Sequence, residues 1–385
     1  MHIAWLGKKS PFCGNVTYGR EVTNALLDRG HLVSFLHFAQ EEGVDDPMGS
    51  GYQEVSLPCL YKSQVYTIPT LKASKVLKES LKQLRPDLVH ASLTLSPLDF
   101  VLPEICEELK IPLFATFHTP FDGKRRNLQS GRQLLSYQLY APFLARYDRV
   151  IIFSKVQRNF LVRLGVPRQK VAVIPNGVDI QKYSPGASTF KSRVNAQRLF
   201  VYQGRIAAEK NVESLLKAWK QSNMSKSSKL VIVGNGPLSS ALRPFYGEEY
   251  GIIWLGFVAE EQQRIQILQA ADVFILPSLL EGLSLSLLEA MACGVACVAT
   301  DAGADGEVLA GGAGIILNTA RVTSQLHTLL PLLQDHTEWT ALLRQKARNR
   351  VLERYTLSGN ITQLEQLYHD VLQQPRVQLS SRAWG

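Results

Sequence analysis

Eleven short apolar runs, most of them separated by helix-patterned sequence, constrain this chain more than any other feature. "HIAWL", "LVSFLHF", "DLVHAS", "PLFATFH", "RVIIFS" and "VAVIP" form a first series. "RLFVYQG", "KLVIVG", "IIWLG", "VFILP" and "ACVAT" form a second after the stretch "DIQKYSPGAST". Runs that are apolar throughout predict parallel strands buried on both faces, because helices packed on both sides leave neither face to water. Two such series predict an α/β chain with two doubly wound, Rossmann-like domains, residues 1–185 and 196–355. The segment 356–385, opening on "TLSGNITQLEQLYHDVL", reads as a last helix that crosses back to the first domain. A length of 385 residues fits two cores better than one. Sheets of this kind bind ligands outside the carboxyl ends of their strands, so a cleft between the domains is the expected site.

No window is apolar enough to span a bilayer, and "MHIAWLGKKS" is too short in its apolar part for a signal peptide. A cytoplasmic protein is expected, free to sit on a membrane as a peripheral partner. Five scattered cysteines argue for reduced thiols, and no His or Cys pair near Cys293 and Cys297 completes a metal site. The net charge of +9 is uneven: the first 190 residues hold 23 Lys+Arg against 16 Asp+Glu. A basic first half suits a polyanionic partner, or solubility alone. Basic and aromatic residues are not interleaved as a single-stranded nucleic acid would require, so no nucleic-acid partner is expected.

The stretch "LPSLLEGLSLSLLEAMACG" sets Glu281 where an apolar strand ends and Glu289 on the helix that follows. Backbone amides at that helix start, with the Ser284 and Ser286 hydroxyls, favour an anion. Glu281 beside them would repel phosphate and suits sugar hydroxyls instead, while Glu289 would reach a ribose. "YQGRIAAEKN" places Arg205 and Lys210 in another strand-end loop, where a bidentate fork and a point charge would clamp a diphosphate. "VGNGPL", with Gly234 and Asn235, and "LGFV", with Val258, are turns that bring backbone close to a flat ligand such as a nucleobase. The first loop, "GKKSPFCGNVTYGRE", is neither a dinucleotide fingerprint nor a P-loop, but puts Gly14 just before a helix.

"GRIAAEKN", "VGNGP", "LGFV", "EGLSLSLLEAMACGVACVAT", "VIPNGVD" and the Gly30-His31 pair resemble the signature of GT-B retaining glycosyltransferases of family 4. The resemblance covers nearly the whole chain. It implies that Glu281 contacts the donor sugar and Glu289 the ribose, that Arg205 and Lys210 hold the diphosphate, and that Gly14 lets the first loop close on the donor. Gly234, Asn235, Val258, Ser284 and Leu285 fall at further donor positions. His118, in "ATFHTP", matches the active-site histidine, so His118 and Glu281 are the expected catalytic pair. The implied reaction takes a nucleotide sugar, with UDP-sugar as co-substrate, needs no cofactor or metal, and retains anomeric configuration. Two departures stand out: Gly282-Leu283-Ser284 replaces the usual Gly-Phe-Gly, and Gly14 is followed by Asn15 rather than a second glycine.

The acceptor is expected on the basic first domain. In "TLKASKVLKESLKQL", Lys72, Lys75, Lys78 and Lys82 share one helical face and apolar residues the other. That pattern suits a helix lying on an anionic membrane, and equally a surface helix packing its apolar side on a sheet. Lys124, Arg125 and Arg126 follow His118, with Tyr137, Tyr140 and Phe143 as interfacial aromatics. Together they favour a lipid acceptor over a soluble or polysaccharide one. The opening stretch also resembles the digalactosyldiacylglycerol synthases of cyanobacterial type, which implies galactose transfer from UDP-galactose to a galactolipid.

Overall fold

The computed structural model describes residues 1–10, 13–39, 53–63, 66–120 and 128–374. Lys124, Arg125 and Arg126, and residues 375–385 of the crossing segment, lie outside the described residues.

The first series of runs becomes β1 (His2–Gly7), β2 (Leu32–Ala39), β5 (Leu88–Ser92), β6 (Leu113–Thr116), β7 (Arg149–Ile152) and β8 (Val171–Val173). Two strands unread in the sequence join them: β3 (Gln53–Lys62) and β4 (Thr67–Pro69). The sheet order is β4-β3-β2-β1-β5-β6-β7-β8, parallel except for the β3–β4 hairpin. Successive residues of β1 serve opposite faces. Ile3 and Trp5 join one apolar cluster, Ala4 and Leu6 the other, and all four are sealed from solvent. The strand alternation thus feeds two cores, one on each side of the sheet.

The second domain repeats the plan with β9 (Arg198–Gln203), β10 (Ser228–Val233), β11 (Ile252–Gly256), β12 (Val273–Leu276), β13 (Ala296–Thr300) and β14 (Ile315–Leu317). Their order is β11-β10-β9-β12-β13-β14, all parallel. The last helix, Leu357–Leu372, returns to the first domain and packs on the helix Gly14–Asp28. Its Tyr368 is fully buried, with its hydroxyl 2.5 Å from His90 Nδ1 and its ring edge-on to Phe114 at 4.8 Å. Trp5 stacks on the other side of His90 at 4.1 Å. The two passages of chain between the domains touch: Val178 N donates to Tyr355 O at 2.8 Å and Leu357 N to Val178 O at 2.9 Å.

The basic amphipathic helix forms over Ala73–Leu84, but its apolar face is not free for a membrane. Ala73, Leu77 and Leu81 are buried, and the helix packs on β3 and on the helix Leu98–Leu109. Lys78 pairs with Glu108 at 2.6 Å and Lys82 with Glu79 at 3.1 Å. Tyr137 and Tyr140 are core residues rather than interfacial ones. Their hydroxyls donate to Thr119 O and Asp99 Oδ2, each at 2.9 Å, and Phe143 packs on Phe100. Among the described residues, no helix is long and apolar enough to cross a membrane.

Tyr368 closes one core of the first sheet, so Tyr368→Ala is expected to destabilise the protein by about 3–5 kcal/mol. Equilibrium urea unfolding checks this through Trp5 fluorescence; an unchanged midpoint would remove the last helix from the first domain's core.

Candidate active site

The carboxyl ends of both sheets face one cleft, and the loops there are built on close backbone approaches. Gly234 has φ +132°, and a Cβ on it would lie 1.9 Å from Gly204 O, so only glycine lets the turn after β10 close on the turn after β9. Gly234 N then donates to Gly256 O at 2.7 Å, which ties in the turn after β11. Three strand-end turns are thereby stacked into one floor. Asn235 lies exposed on it and Val258 is buried beneath it.

Glu281 is positioned from the β13 side. Gly303 has φ +59°, and a Cβ there would meet Glu281 O at 2.2 Å. Ala304 N donates to Gly282 O at 2.7 Å, and Ser284 N to Asp305 Oδ1 at 3.0 Å. Asp305 is wholly buried; burial, and then the neighbouring Glu281 charge, push its carboxyl well above the usual carboxylate range. Asp305 thus lies under the Glu281–Ser284 turn, where burial disfavours its charged form and the Ser284 N–H bond opposes that shift. The sequence reading passed it over; its only signal was the acidic, glycine-rich run "TDAGADGE" after β13.

The two cations of the "YQGRIAAEKN" loop are each paired with a carboxylate. Arg205 and Lys210 do not stand free in this state: Arg205 is ion-paired with Glu209, and Lys210 Nζ donates to Glu281 Oε1 at 2.6 Å. Ser278 Oγ also donates to Glu281 Oε1, at 2.7 Å. Glu281 is nearly buried, so a lysine and a hydroxyl occupy the oxygen expected to face a sugar. A carboxylate sealed in a strand-end turn needs a counter-charge, which Lys210 supplies.

Glu289 stands on the helix Leu285–Ala292, capped by Ser284, whose Oγ accepts from Leu287 N. Gln203 Nε2 donates to Glu289 Oε2 at 2.9 Å. Burial raises the Glu289 carboxyl to about 7; Arg264 opposes the shift, while Glu261 and Glu21 add to it. Thr17, Tyr18 and Glu21 of the first domain and Glu261 of the second line a narrow crevice with Glu289. Leu285, an expected donor contact, packs on the first domain's core beside Tyr18 and Val22. Gly14 begins the helix facing this crevice, exposed and with open space around its Cα.

On the first domain His118 follows β6 and meets the second domain directly: a Cβ on Gly282 would lie 3.4 Å from His118 O. Asn176 Nδ2 donates to Leu283 O at 3.1 Å nearby. A directed hydrogen-bond chain sets the imidazole. Asn15 Nδ2 donates to Leu93 O at 3.2 Å, which aims Asn15 Oδ1 at Ser92, and Ser92 Oγ donates to it at 2.6 Å. With its proton spent, Ser92 Oγ accepts from His118 Nε2 at 2.9 Å, so Nδ1 carries the lone pair. Burial, and then the positive charge of Lys8, push His118 down to about 3, so it is neutral at neutral pH. Asn15 thus fills the place of the second loop glycine with an orienting amide, a role unread in the sequence.

Lys8, buried at the end of β1, donates to Ser63 O at 3.0 Å. Asp99 lies buried near it, raised to about 6 by burial against hydrogen bonds from Ser96 N and Tyr140. Ser92, Thr94 and Ser96 complete a polar cluster on the first domain's side of the cleft. Lys72 and Lys75 lie exposed and away from this cluster, on the amphipathic helix and its N-terminal edge.

Two family models match the chain: "Glycosyl transferases group 1" over residues 197–335 and "Glycosyltransferase Family 4" over residues 14–182. The chain is 25% identical over 79% of its length to the UDP-Gal:alpha-D-GlcNAc-diphosphoundecaprenol alpha-1,3-galactosyltransferase of Escherichia coli, covering 81% of that protein. It is 28% identical over 59% of its length to the alpha-monoglucosyldiacylglycerol synthase of Streptococcus pneumoniae, covering 54% of it. In fold it is similar to the sucrose-phosphate synthase of Thermosynechococcus elongatus, with a TM-score of 0.75 at 19% identity, over 96% of this chain and 98% of that one.

Glu289 gives this site a pH signature. Its folded value of about 7 exceeds the ordinary 4.5, so the folded state holds a proton that the unfolded state has released, and stability falls as pH rises between those values. Glu289→Gln removes that titration. The melting temperature of the variant relative to the wild type is expected to climb from pH 4.5 to 7 and level off above; a constant difference would mean Glu289 is ionised throughout.

Proposed function

With a glycosyltransferase of the group 1 and family 4, GT-B type as premise, we propose that this chain moves galactose from UDP-galactose to a glycolipid at a membrane surface. The product is a digalactosyl lipid of the digalactosyldiacylglycerol kind, with anomeric configuration retained. The observation that carries the reading is the meeting of His118 with the Glu281–Gly282 turn across the cleft, flanked by two cations. The Escherichia coli relative is named for UDP-galactose and a lipid-linked acceptor, and the Streptococcus pneumoniae relative for a monoglucosyldiacylglycerol. The first name favours this donor, and both favour a lipid acceptor over a soluble one.

In this reading the Lys210–Glu281 and Arg205–Glu209 ion pairs give way to contacts with the donor. Lys210 has three donors and Arg205 five, so each can take a phosphate oxygen while loosening its carboxylate. Glu281, released in part from Lys210, then accepts hydrogen bonds from the sugar hydroxyls. As the glycosidic C–O bond breaks, charge accumulates on the diphosphate between Arg205, Lys210 and the amides at the Ser284-capped helix start, which are already oriented. These cations do the work a divalent metal would otherwise do. Neutral His118 cannot donate from Nδ1; it accepts a donor-sugar hydroxyl there and fixes the sugar beside the acceptor. Glu289, ionised once ribose hydroxyls donate to it, holds the nucleoside.

The test is release of UDP from UDP-galactose and UDP-glucose, each with and without galactolipid vesicles. Vesicle-dependent release from UDP-galactose is expected. Release that ignores vesicles would overturn the lipid acceptor in favour of a soluble or polysaccharide one, and preference for UDP-glucose would overturn the sugar. Glu281→Gln is expected to lower transfer by ~10²–10³ with UDP binding intact. Ser92→Ala frees the His118 ring to change tautomer; about a tenfold loss in kcat, with the KM for donor little changed, is expected. Unchanged kcat would detach the Asn15–Ser92 chain from the reaction.

A further inference from the structure

The densest group of exposed apolar side chains in the first domain lies on one short segment, at the carboxyl end of its sheet. β3 outruns its neighbours: the last residue of β2, Ala39, pairs with Pro58, and Cys59–Lys62 continue past it. This end of β3 is irregular between Cys59 and Tyr61 and stays close to the carboxyl edge of the parallel strands, where Lys62 Nζ donates to Phe38 O at 3.4 Å. There β3 pairs with β4 as a hairpin. Leu60, Tyr61, Tyr66 and Ile68 on this hairpin are exposed, Leu60 to 68%, and Leu71 just beyond it is wholly exposed. Other large apolar residues of the domain are exposed too, Leu32, Leu135, Leu139 and Val156 among them, but five fall within the twelve positions from Leu60 to Leu71. A contiguous run of large apolar side chains left in water marks a surface that meets something.

The charges around it say what. Lys72 and Lys75 follow Leu71 directly and are exposed, and the two tyrosines, with ring centroids 5.6 Å apart, offer apolar bodies with polar tips. Apolar side chains ringed by lysine and tyrosine suit the headgroup layer of an anionic bilayer, with the chains in the acyl boundary and the lysines among the phosphates. A symmetric second copy is disfavoured, because pairing this face with itself brings Lys72 and Lys75 against their own counterparts. Position adds the link to chemistry. Lys8, in the polar cluster beside His118, donates to Ser63 O at the hairpin's end.

We propose that Leu60, Tyr61, Tyr66, Ile68 and Leu71, on β3, β4 and the turn that follows, insert into an anionic lipid surface and seat the carboxyl edge of the first sheet against it. A lipid-borne acceptor then reaches the Lys8–His118 cluster without leaving the bilayer. This rests on the lipid-acceptor reading above, and it replaces the amphipathic helix Ala73–Leu84 as the contact: that helix contributes charge from its N-terminal end, while its apolar face stays in the core.

The test is co-sedimentation of the full chain with phosphatidylcholine vesicles, with and without phosphatidylglycerol. The triple variant Leu60→Ser, Ile68→Ser, Leu71→Ser is compared with Lys72→Gln, Lys75→Gln and the wild type. The wild type is expected to pellet with anionic vesicles. The triple variant should lose at least about tenfold in partitioning, and the lysine variant about fivefold per residue on anionic vesicles only. An unchanged melting temperature, and an unchanged rise in it with UDP, shows that each variant is folded. If the wild type pellets and the triple variant pellets equally, the hairpin assignment is overturned while the lipid reading stands. If the wild type pellets with neither vesicle, the lipid reading falls and the proposal with it. A dimer in gel filtration that the triple variant dissolves, with partitioning unchanged, would assign the face to a second copy instead.

Discussion

A parallel sheet covered by helices on both faces leaves the side chains along its strands no path to solvent. Ile3 to Leu6 of β1 and Leu199 to Tyr202 of β9 are all sealed. Polar chemistry is therefore confined to the strand ends, and in a right-handed α/β plan the carboxyl ends are the ones with loops to spare. Both domains obey this, and they obey it facing each other. His118, Ser92 and Lys8 stand at strand ends of one sheet. Arg205, Gly234, Glu281 and Gly303 stand at strand ends of the other. The site is a consequence of that double confinement more than of any one motif.

What could be read beforehand followed the same rule. Glu281 was legible because a fully apolar strand, a glycine and an amphipathic helix follow one another in sequence, and a carboxylate at that junction has few structural reasons to exist. His118 was legible as a polar residue at the end of "PLFATFH". The two-domain plan and the returning helix followed from the rhythm of apolar runs. The β3–β4 hairpin was not legible, since Pro58 interrupts its pattern and its apolar residues, exposed at Leu60 and Tyr61, mimic nothing periodic. The lysine helix was legible as a helix and as amphipathic; periodicity says that one face is apolar but not what covers it. Here β3 and a neighbouring helix cover it.

The remaining surprises share a cause. Asp305 under the Glu281 turn, the Asn15–Ser92–His118 chain and the carboxylate partners of Arg205 and Lys210 all depend on residues far apart in sequence. No local pattern encodes a hydrogen bond between Ser92 and Asn15, 77 positions apart. Yet these long-range contacts decide protonation and tautomer: Asp305 pushed up, His118 neutral with Nδ1 free of a proton, Glu289 poised near 7. Chemistry at this site is set by tertiary neighbours acting on residue types that the sequence already announces.

The returning helix has a mechanical meaning. Because the chain re-enters the first domain, two segments link the domains, and they are bonded to each other at Val178 and Thr356. The fit is tight: a Cβ on Gly177 would lie 2.6 Å from Leu357 Cα. Two links joined at one point behave as a pivot. The second domain can swing about it, but sliding or twisting past the first would tear backbone hydrogen bonds. Opening the cleft about that pivot would break a definite set of contacts, among them Asn176 Nδ2 to Leu283 O and the packing of Leu285 on the first domain's core.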